Sequence, residues 1–249
     1  MKKQIAVLLV ISLLSLQNGC LRTYYPALYH SSAPPLVTET NNAFDQSSKY
    51  LGADFTIAKG SYDNELVQLM RINFLLVNTQ DHTNFNVEGF GYTGNYRVSG
   101  LDAIFDGNKS LLGFGANAKF NVNFKFNKVK IGMGLNLGAG LEFGEYYQFR
   151  KDAEGANRIS DENNLIFVLF YGTPMVSYEF TESTILSLQA SAGVPGVITP
   201  SLILNHKKIS YWICWLPDKN ISENYYGTRI TFGVMIGFKF KILILTESS

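Results

Sequence analysis

Two neighbouring stretches in the middle of the chain alternate strictly between apolar residues and small or polar ones. In residues 112–126 every even position is apolar, and the odd positions are glycine, asparagine or lysine. Past residues 127–128 the pattern restarts in 129–143, where the apolar residues stand at odd positions. A period of two is typical of β-strands, and the short polar interruption predicts a tight hairpin between them.

The length of these two strands decides which way their apolar face points. Strands of soluble proteins usually have five or six residues, whereas a tilted strand needs roughly 9–11 residues to cross a bilayer. The opposite face, made of glycine, asparagine and lysine, carries too few charges to be a solvated exterior. We therefore expect lipid against the apolar face and a narrow polar lumen on the other side. The segment 226–240 alternates in the same way and ends on aromatic residues.

The same pattern predicts ten strands over the whole chain. They lie near residues 49–59, 64–78, 82–98, 110–126, 128–146, 164–180, 183–193, 197–205, 208–217 and 224–240. Short and longer connections alternate, as they do in transmembrane barrels. Residues 194–223 leave eight strands open as an alternative, because Pro195 and Pro200 cannot donate to a ladder. The predicted fold is all-β, an antiparallel up-and-down transmembrane β-barrel of ten strands.

The N-terminus has the features of an export signal. Two lysines precede the apolar run 5–16, which is too short for a transmembrane helix but suits a signal peptide over residues 1–19. Gly19 before Cys20 resembles a lipobox, although Gln17 stands where a branched apolar residue is usual. We expect a covalent lipid such as palmitate on Cys20 and no other cofactor. An ordinary secretory signal with an incidental cysteine is the alternative.

The remainder of the chain divides into three parts by composition. They are a lipid-anchored tether, the barrel and a C-terminal tail, at residues 20–46, 47–241 and 242–249. In the tether, Tyr24, Tyr25 and Tyr29 are expected either at the membrane interface or in a disordered linker. An even number of strands starts the barrel on the periplasmic side, so the lipid anchor is expected on that side as well.

Charged residues make up only 16% of the chain, and the formal net charge is +1. This balance gives no electrostatic footprint for nucleic acid. Seven charged residues are candidates for a lumen network: Asp54, Glu88, Lys119, Lys125, Lys130, Glu142 and Arg229. In a narrow barrel such charges are expected to pair with one another, since an unpaired buried charge is costly. A path for ions or small solutes is the alternative.

Residues that could carry catalysis or bind a metal are widely spread. His30 falls in the tether, and His82 and His206 fall at predicted periplasmic turns. The chain contains no Gly-x-Ser-x-Gly motif and no metal-ligand spacing, so we expect neither an enzyme nor a metal site. Cys214 is expected to be a packed, unreactive thiol.

Aromatic residues are expected near the external ends of the strands. The six are Tyr146, Tyr147, Trp212, Trp215, Tyr225 and Tyr226. They predict an aromatic girdle at the membrane interface, with an external patch for a partner protein as the alternative.

The order of these features resembles a loosely defined group of outer-membrane barrel lipoproteins common in Bacteroidetes. The likeness rests on the lipobox, on Tyr24 to Pro26, on Ala33 to Leu36, and on the glycine- and phenylalanine-rich strands. It implies a Gram-negative cell envelope and outer-membrane lipids as surroundings, but the group has no shared activity. A structural or accessory-subunit role beside other outer-membrane proteins is the first hypothesis. A small passive channel and a lipid-modifying enzyme are the alternatives.

Overall fold

The structure is a computed structural model of the chain. It describes residues 22–32, 35–36, 46–62, 64–80, 82–161, 165–194, 198–216 and 228–238. The predicted signal peptide, Cys20 and the C-terminal tail lie outside the described residues.

Ten of the strands close into one antiparallel barrel, which confirms the predicted fold and strand number. The first elements in chain order are β1 (Arg22–Tyr24), a 3-10 helix (Ala27–His30), β2 (Gln46–Lys59), β3 (Leu66–Gln80), β4 (Thr83–Val98), β5 (Gly107–Phe126) and β6 (Val129–Phe143). They are followed by helix α1 (Glu145–Gly155), β7 (Ile159–Asp161), β8 (Ile166–Thr181), β9 (Thr184–Val194), β10 (Thr199–His206), β11 (Ile209–Leu216) and β12 (Arg229–Phe238). The first and last barrel strands, β2 and β12, pair to close the ring.

The connections between barrel strands distinguish the two ends of the barrel. Two-residue turns lie at one end, the short-turn end, at 81–82, 127–128, 182–183 and 207–208. Asn127 and Lys207 there have positive φ, as central residues of many two-residue hairpin turns do. Longer connections lie at the other end, the long-loop end, at 60–65, 99–106, 144–165, 195–198 and 217–228. Strand β2 starts at the short-turn end.

The apolar face of the strands points outward, as predicted. Large apolar side chains from around the barrel wall remain exposed, including Leu51, Phe74, Val87, Phe114, Leu137, Val168, Leu188, Leu202, Ile213 and Phe232. Polar and charged side chains are buried on the opposite face, and a burial period of two runs through β4. Such a belt is what a hydrocarbon surrounding requires, because water would not favour so much exposed apolar surface.

The connection 144–165 carries structure that the sequence pattern did not predict. Strand β6 ends at Phe143 rather than at residue 146, and α1 follows directly. Strand β7 then pairs in parallel with β1 as a separate two-stranded sheet. Among the described residues, no helix is both long enough and apolar enough to cross a membrane.

The largest departure from the sequence prediction concerns the segment before the barrel. We call residues 22–32 and 35–36 the lumen segment, because they lie inside the barrel. The segment begins at the long-loop end, where β1 meets β7, and reaches Gln189 of β9 at Leu36. The prediction of a tether outside the barrel, at the interface or as a linker, is therefore wrong for these residues. The Leu36 side chain occupies the space that Gly134 of the barrel wall leaves.

Candidate functional site

Aromatic rings close the lumen at the long-loop end. The Tyr96 and Tyr146 rings stack with centroids 4.2 Å apart, and Tyr24 meets Phe149 edge-on at 5.2 Å. All four side chains are buried. The prediction that Tyr146 belongs to an external girdle is therefore wrong: α1 turns this ring inward. The Tyr146 hydroxyl then donates to the Tyr25 carbonyl oxygen at 2.9 Å.

Glu65, in the loop between β2 and β3, holds this aromatic cap together. Its carboxylate accepts hydrogen bonds from the hydroxyls of Tyr24 at 2.5 Å and Tyr96 at 2.9 Å. It also accepts from the backbone N–H of Tyr62 at 3.1 Å. Burial raises the pKa of Glu65, and these donors partly oppose the shift because they stabilise the charged form. Glu65 was not among the predicted lumen charges.

Glu142 joins three parts of the chain below the cap. One carboxylate oxygen lies 3.0 Å from an Nη of Arg150 on α1. The other accepts from the backbone N–H of Ala27 at 2.7 Å and from the Tyr92 hydroxyl at 3.4 Å. Glu142 and Arg150 are fully buried. The barrel wall, the helix and the lumen segment therefore share one ion pair.

Two arginines of the wall bind carbonyl groups of the lumen segment. Arg229 on β12 donates to the carbonyl oxygens of Ser31 at 2.7 Å and Tyr29 at 3.2 Å. Arg71 on β3 forms an ion pair with Asp54 at 2.8 Å and donates to the Ser32 carbonyl at 3.4 Å. These hydrogen bonds hold the lumen segment where it passes the middle of the barrel toward the short-turn end.

Leu36 is the described residue of the lumen segment that lies farthest from the long-loop end. Its backbone N–H donates to the Gln189 side-chain oxygen at 3.0 Å, and the Gln189 amide nitrogen donates back to the Leu36 carbonyl at 2.9 Å. On β6, which only β8 separates from β9, a Cβ at Gly134 would collide with the Leu36 side chain. The absence of a side chain at Gly134 therefore leaves room for Leu36 of the lumen segment.

A third buried ion pair also joins two residues of the barrel wall. Lys119 Nζ lies 2.7 Å from a Glu88 carboxylate oxygen. The amides of Asn73 and Asn117 donate to the same carboxylate at 2.7 and 3.0 Å. Nearby, Asn86 and Asn121 are fully buried, and their side-chain amides have no hydrogen-bond partner among the described residues.

The remaining two predicted lumen charges lie at the short-turn end. Lys125 and Lys130 face each other across β5 and β6. Both contact the carboxylate of Glu179, at 2.7 and 2.8 Å. Six of the seven candidates thus fall into three ion pairs and the cluster of Lys125, Lys130 and Glu179. The seventh, Arg229, binds carbonyl groups of the lumen segment.

Sequence reasoning missed four charged residues, three of which complete these ion contacts and one of which, Glu65, holds the aromatic cap. They are Glu65, Arg71, Arg150 and Glu179. Arg71 could have been found, because it occupies a lumen-facing position of β3 directly opposite Asp54. Arg150 could not, because its position depends on a helix that the period-two pattern does not contain.

The histidines and the cysteine do not come together. His30 is buried edge-on against Tyr96. His206 shares a hydrogen bond of 2.9 Å with Thr184 at the short-turn end, where His82 occupies another turn. The Cys214 thiol is buried in the lumen, 3.1 Å from the Ser201 hydroxyl. The described residues contain no group of three His, Cys, Asp or Glu side chains that could hold a metal ion.

Comparison with known proteins finds resemblance in fold alone. No family model matches the chain, and no curated protein matches its sequence. Among solved structures, Neisserial surface protein A is 14% identical, with 78% of this chain and 100% of that chain covered and a TM-score of 0.37. An outer-membrane channel from Pseudomonas putida F1 is 9% identical, with 80% and 97% covered and a TM-score of 0.45. The outer-membrane phospholipase A of Escherichia coli is 10% identical, with 80% and 100% covered and a TM-score of 0.30. These scores are too low to carry any activity over to this chain.

The architecture itself places the chain in a class. A closed antiparallel barrel with an even number of strands, an apolar exterior, a polar interior and alternating turn lengths is built for a bilayer. In such barrels the short turns are periplasmic and the long loops external. The chain is an outer-membrane β-barrel, and its lumen is occupied by its own N-terminal segment.

Proposed function

We propose that this chain is a lipid-anchored outer-membrane barrel with a structural or accessory-subunit role and no catalytic activity. The observation that carries the proposal is the filled lumen. The lumen segment is buried along the barrel and bonded to β6, β9 and β12 through Glu142, Gln189 and Arg229. In such a barrel the lumen segment closes the path across the membrane, so the protein acts as a rigid membrane component and not as an open channel.

The proposed function includes a lipid that is covalently attached to Cys20. The Cys20 thiol attacks the diacylglyceryl carbon of a phospholipid donor, so a thioether forms, the carbon–oxygen bond to the headgroup phosphate breaks, and the thiol proton is released. Hydrolysis of the bond between Gly19 and Cys20 then removes the signal peptide. Metabolic labelling with palmitate tests this step: label in the wild type but not in Cys20→Ala supports the anchor, and equal label in both contradicts it.

Planar-bilayer recording tests the filled lumen against a channel. The purified wild-type protein should give no discrete conductance, because the lumen segment occupies the path. Protein recovered from the bilayer should still migrate faster before boiling than after it, which shows that the barrel was folded. Steady single-channel steps from the wild type would overturn the structural role.

A passive channel is the second candidate, and one observation favours it. The buried amides of Asn86 and Asn121 have no partner among the described residues, and buried polar groups of this kind are normally satisfied by water. A hydrated lower lumen would serve as a vestibule if the lumen segment moved out. A deletion of residues 22–36 that conducts, beside a silent wild type, would show that the segment is the block.

The accessory-subunit version is tested by its partners. Mild solubilisation of native outer membranes, followed by affinity purification of the tagged chain, should recover stoichiometric outer-membrane proteins. Recovery of the chain as a lone monomer would leave a self-contained membrane component and contradict the subunit role.

A further inference from the structure

The route of the lumen segment fixes the side on which the chain enters the barrel. Arg22 lies at the long-loop end, where an Nη donates to the Ser99 carbonyl at 2.9 Å and the guanidinium lies over the Tyr62 ring. The backbone N–H of Thr23 donates to the Tyr62 hydroxyl at 2.6 Å. Both partners belong to loops at the long-loop end, 60–65 and 99–106.

Covalent geometry then limits where Cys20 can lie. An extended chain covers at most about 3.6 Å per residue, so Cys20 lies within about 7 Å of Arg22. The barrel wall is much longer. Strand β4 has 16 residues, which at a rise of about 3.4 Å and a tilt of about 40° extend for about 40 Å. Cys20 therefore cannot reach the short-turn end.

We infer that Cys20 lies at the external surface of the outer membrane, and that its acyl chains insert in the outer leaflet. The inference rests on the lipidation in the proposed function. It reverses the sequence-based expectation of a periplasmic anchor. That expectation placed the N-terminus at the end where β2 starts, and it did not foresee that the preceding residues return through the lumen.

The same geometry implies an order of assembly. The passage beside the lumen segment is closed by Tyr24, Tyr96 and Tyr146 at the long-loop end. A diacylglyceryl group is too bulky to pass through such a packed lumen. The segment must therefore be in place before β12 pairs with β2 and closes the ring. The lipid then reaches the external side as part of barrel folding rather than after it.

An epitope tag inserted between Leu21 and Arg22 tests the inference in living cells. Two matched insertions report the orientation of the barrel: one at Ile104 in a long loop, where the side chain is 80% exposed, and one between Asn127 and Lys128 in a short turn. Antibody should stain intact cells that carry the first two tags. It should stain cells with the third tag only after permeabilisation.

The possible results distinguish the external position of Cys20 from the lipidation on which that inference rests. Staining of the 21/22 tag only in permeabilised cells, with the Ile104 tag accessible on intact cells, overturns the external position of Cys20. Staining of the turn tag instead of the loop tag on intact cells overturns it as well. A surface-accessible 21/22 tag without palmitate label on the wild type leaves the route intact and removes the lipid. Heat-dependent mobility of each tagged protein shows that it has folded.

Discussion

Individual buried charged residues largely determine which arrangement of the chain fits inside this barrel. Glu142 shows why: one carboxylate contacts a helix arginine, a backbone N–H of the lumen segment and a wall tyrosine. A buried ion pair contributes little net stability compared with apolar packing, but removal of one partner leaves an uncompensated charge. Such residues therefore act as fixed points that accept only one arrangement of the chain.

The Glu88 and Lys119 pair gives a matched test of this idea. Glu88→Ala should lower the free energy of unfolding by about 3–5 kcal/mol, because Lys119 stays buried without its carboxylate. Lys125→Ala, at a partly exposed pair on the same wall, should cost less than about 1 kcal/mol. Urea unfolding in lipid vesicles measures both. Equal losses for the two variants would show that burial of the first pair does not matter.

Gly134 offers a test of the space between wall and lumen segment. Gly134→Leu should push Leu36 away from Gln189, at a cost of about 1–3 kcal/mol for overpacking. Gly89→Leu is the control, since no atom lies within 4 Å of a Cβ at that exposed position. Limited proteolysis should cut near Leu36 in the first variant and not in the second. Resistance of both variants would contradict the contact.

The carboxylate of Asp106 is expected to make the structure of the loop 99–106 depend on pH. Backbone N–H groups of Leu101, Gly100 and Asp102 donate to its carboxylate, and they lower its pKa. A lowered pKa means that this loop support is present above the ordinary value of about 3.9 and is lost as the pH falls through the lower folded value. Amide resonances of Gly100 and Leu101 in the wild type should therefore begin to shift only at a lower pH than an ordinary aspartate would produce, whereas Asp106→Asn should shift them at neutral pH.

Individual strands were predictable because their signal is local. A period of two needs no knowledge of neighbours, so the long strands β4, β5 and β6 are found from the sequence alone. The eight-residue strands β10 and β11 were also found, although Pro200 argued against the first. Pro200 lies near the start of β10, where it pairs with β9 but has no partner on β11.

The helix and the lumen segment were not predictable, for physical reasons. Strand β6 contains one aromatic residue, Phe143, and the period-two pattern placed Tyr146 at the end of the same strand. Helix α1 is instead held by contacts of Tyr146 and Phe149 with distant rings and by the ion pair of Arg150 with Glu142. Residues 22–36 have no period, so they read as a linker. Their structure comes from partners such as Gln189 and Arg229, far along the chain, and no local pattern encodes such pairings.

The lumen segment as an element should stabilise the whole barrel. Its deletion (residues 22–36) removes the partners of Glu142, Arg229 and Gln189 and part of the aromatic cap. We expect the barrel still to close but to lose its heat-dependent gel mobility at a lower temperature than the wild type. An unchanged transition temperature would show that the segment contributes nothing to the wall.

The whole molecule has a wall whose outer face contacts lipid and an interior that is partly filled by the chain's own lumen segment. Soluble barrels fill their interior from the wall, whereas here Tyr24, Ala27 and Leu28, which precede the first barrel strand, supply part of the core at the long-loop end. A second apolar cluster, with Leu75, Ile203 and Trp212, fills the lumen wall lower down. The prediction of Trp212 in an external girdle is thus also wrong, while Trp215 on the same strand is exposed.

The central claim is that the chain's own N-terminal segment fills the barrel, and hydrogen exchange tests it most directly. Mass spectrometry of the purified protein in detergent should find the amides of residues 22–32 protected to the same degree as those of β4, because Thr23 donates to the half-buried Tyr62 hydroxyl and Ala27 to the buried Glu142 carboxylate. Complete exchange of residues 22–32 at the earliest time point, with β4 still protected, would contradict the account.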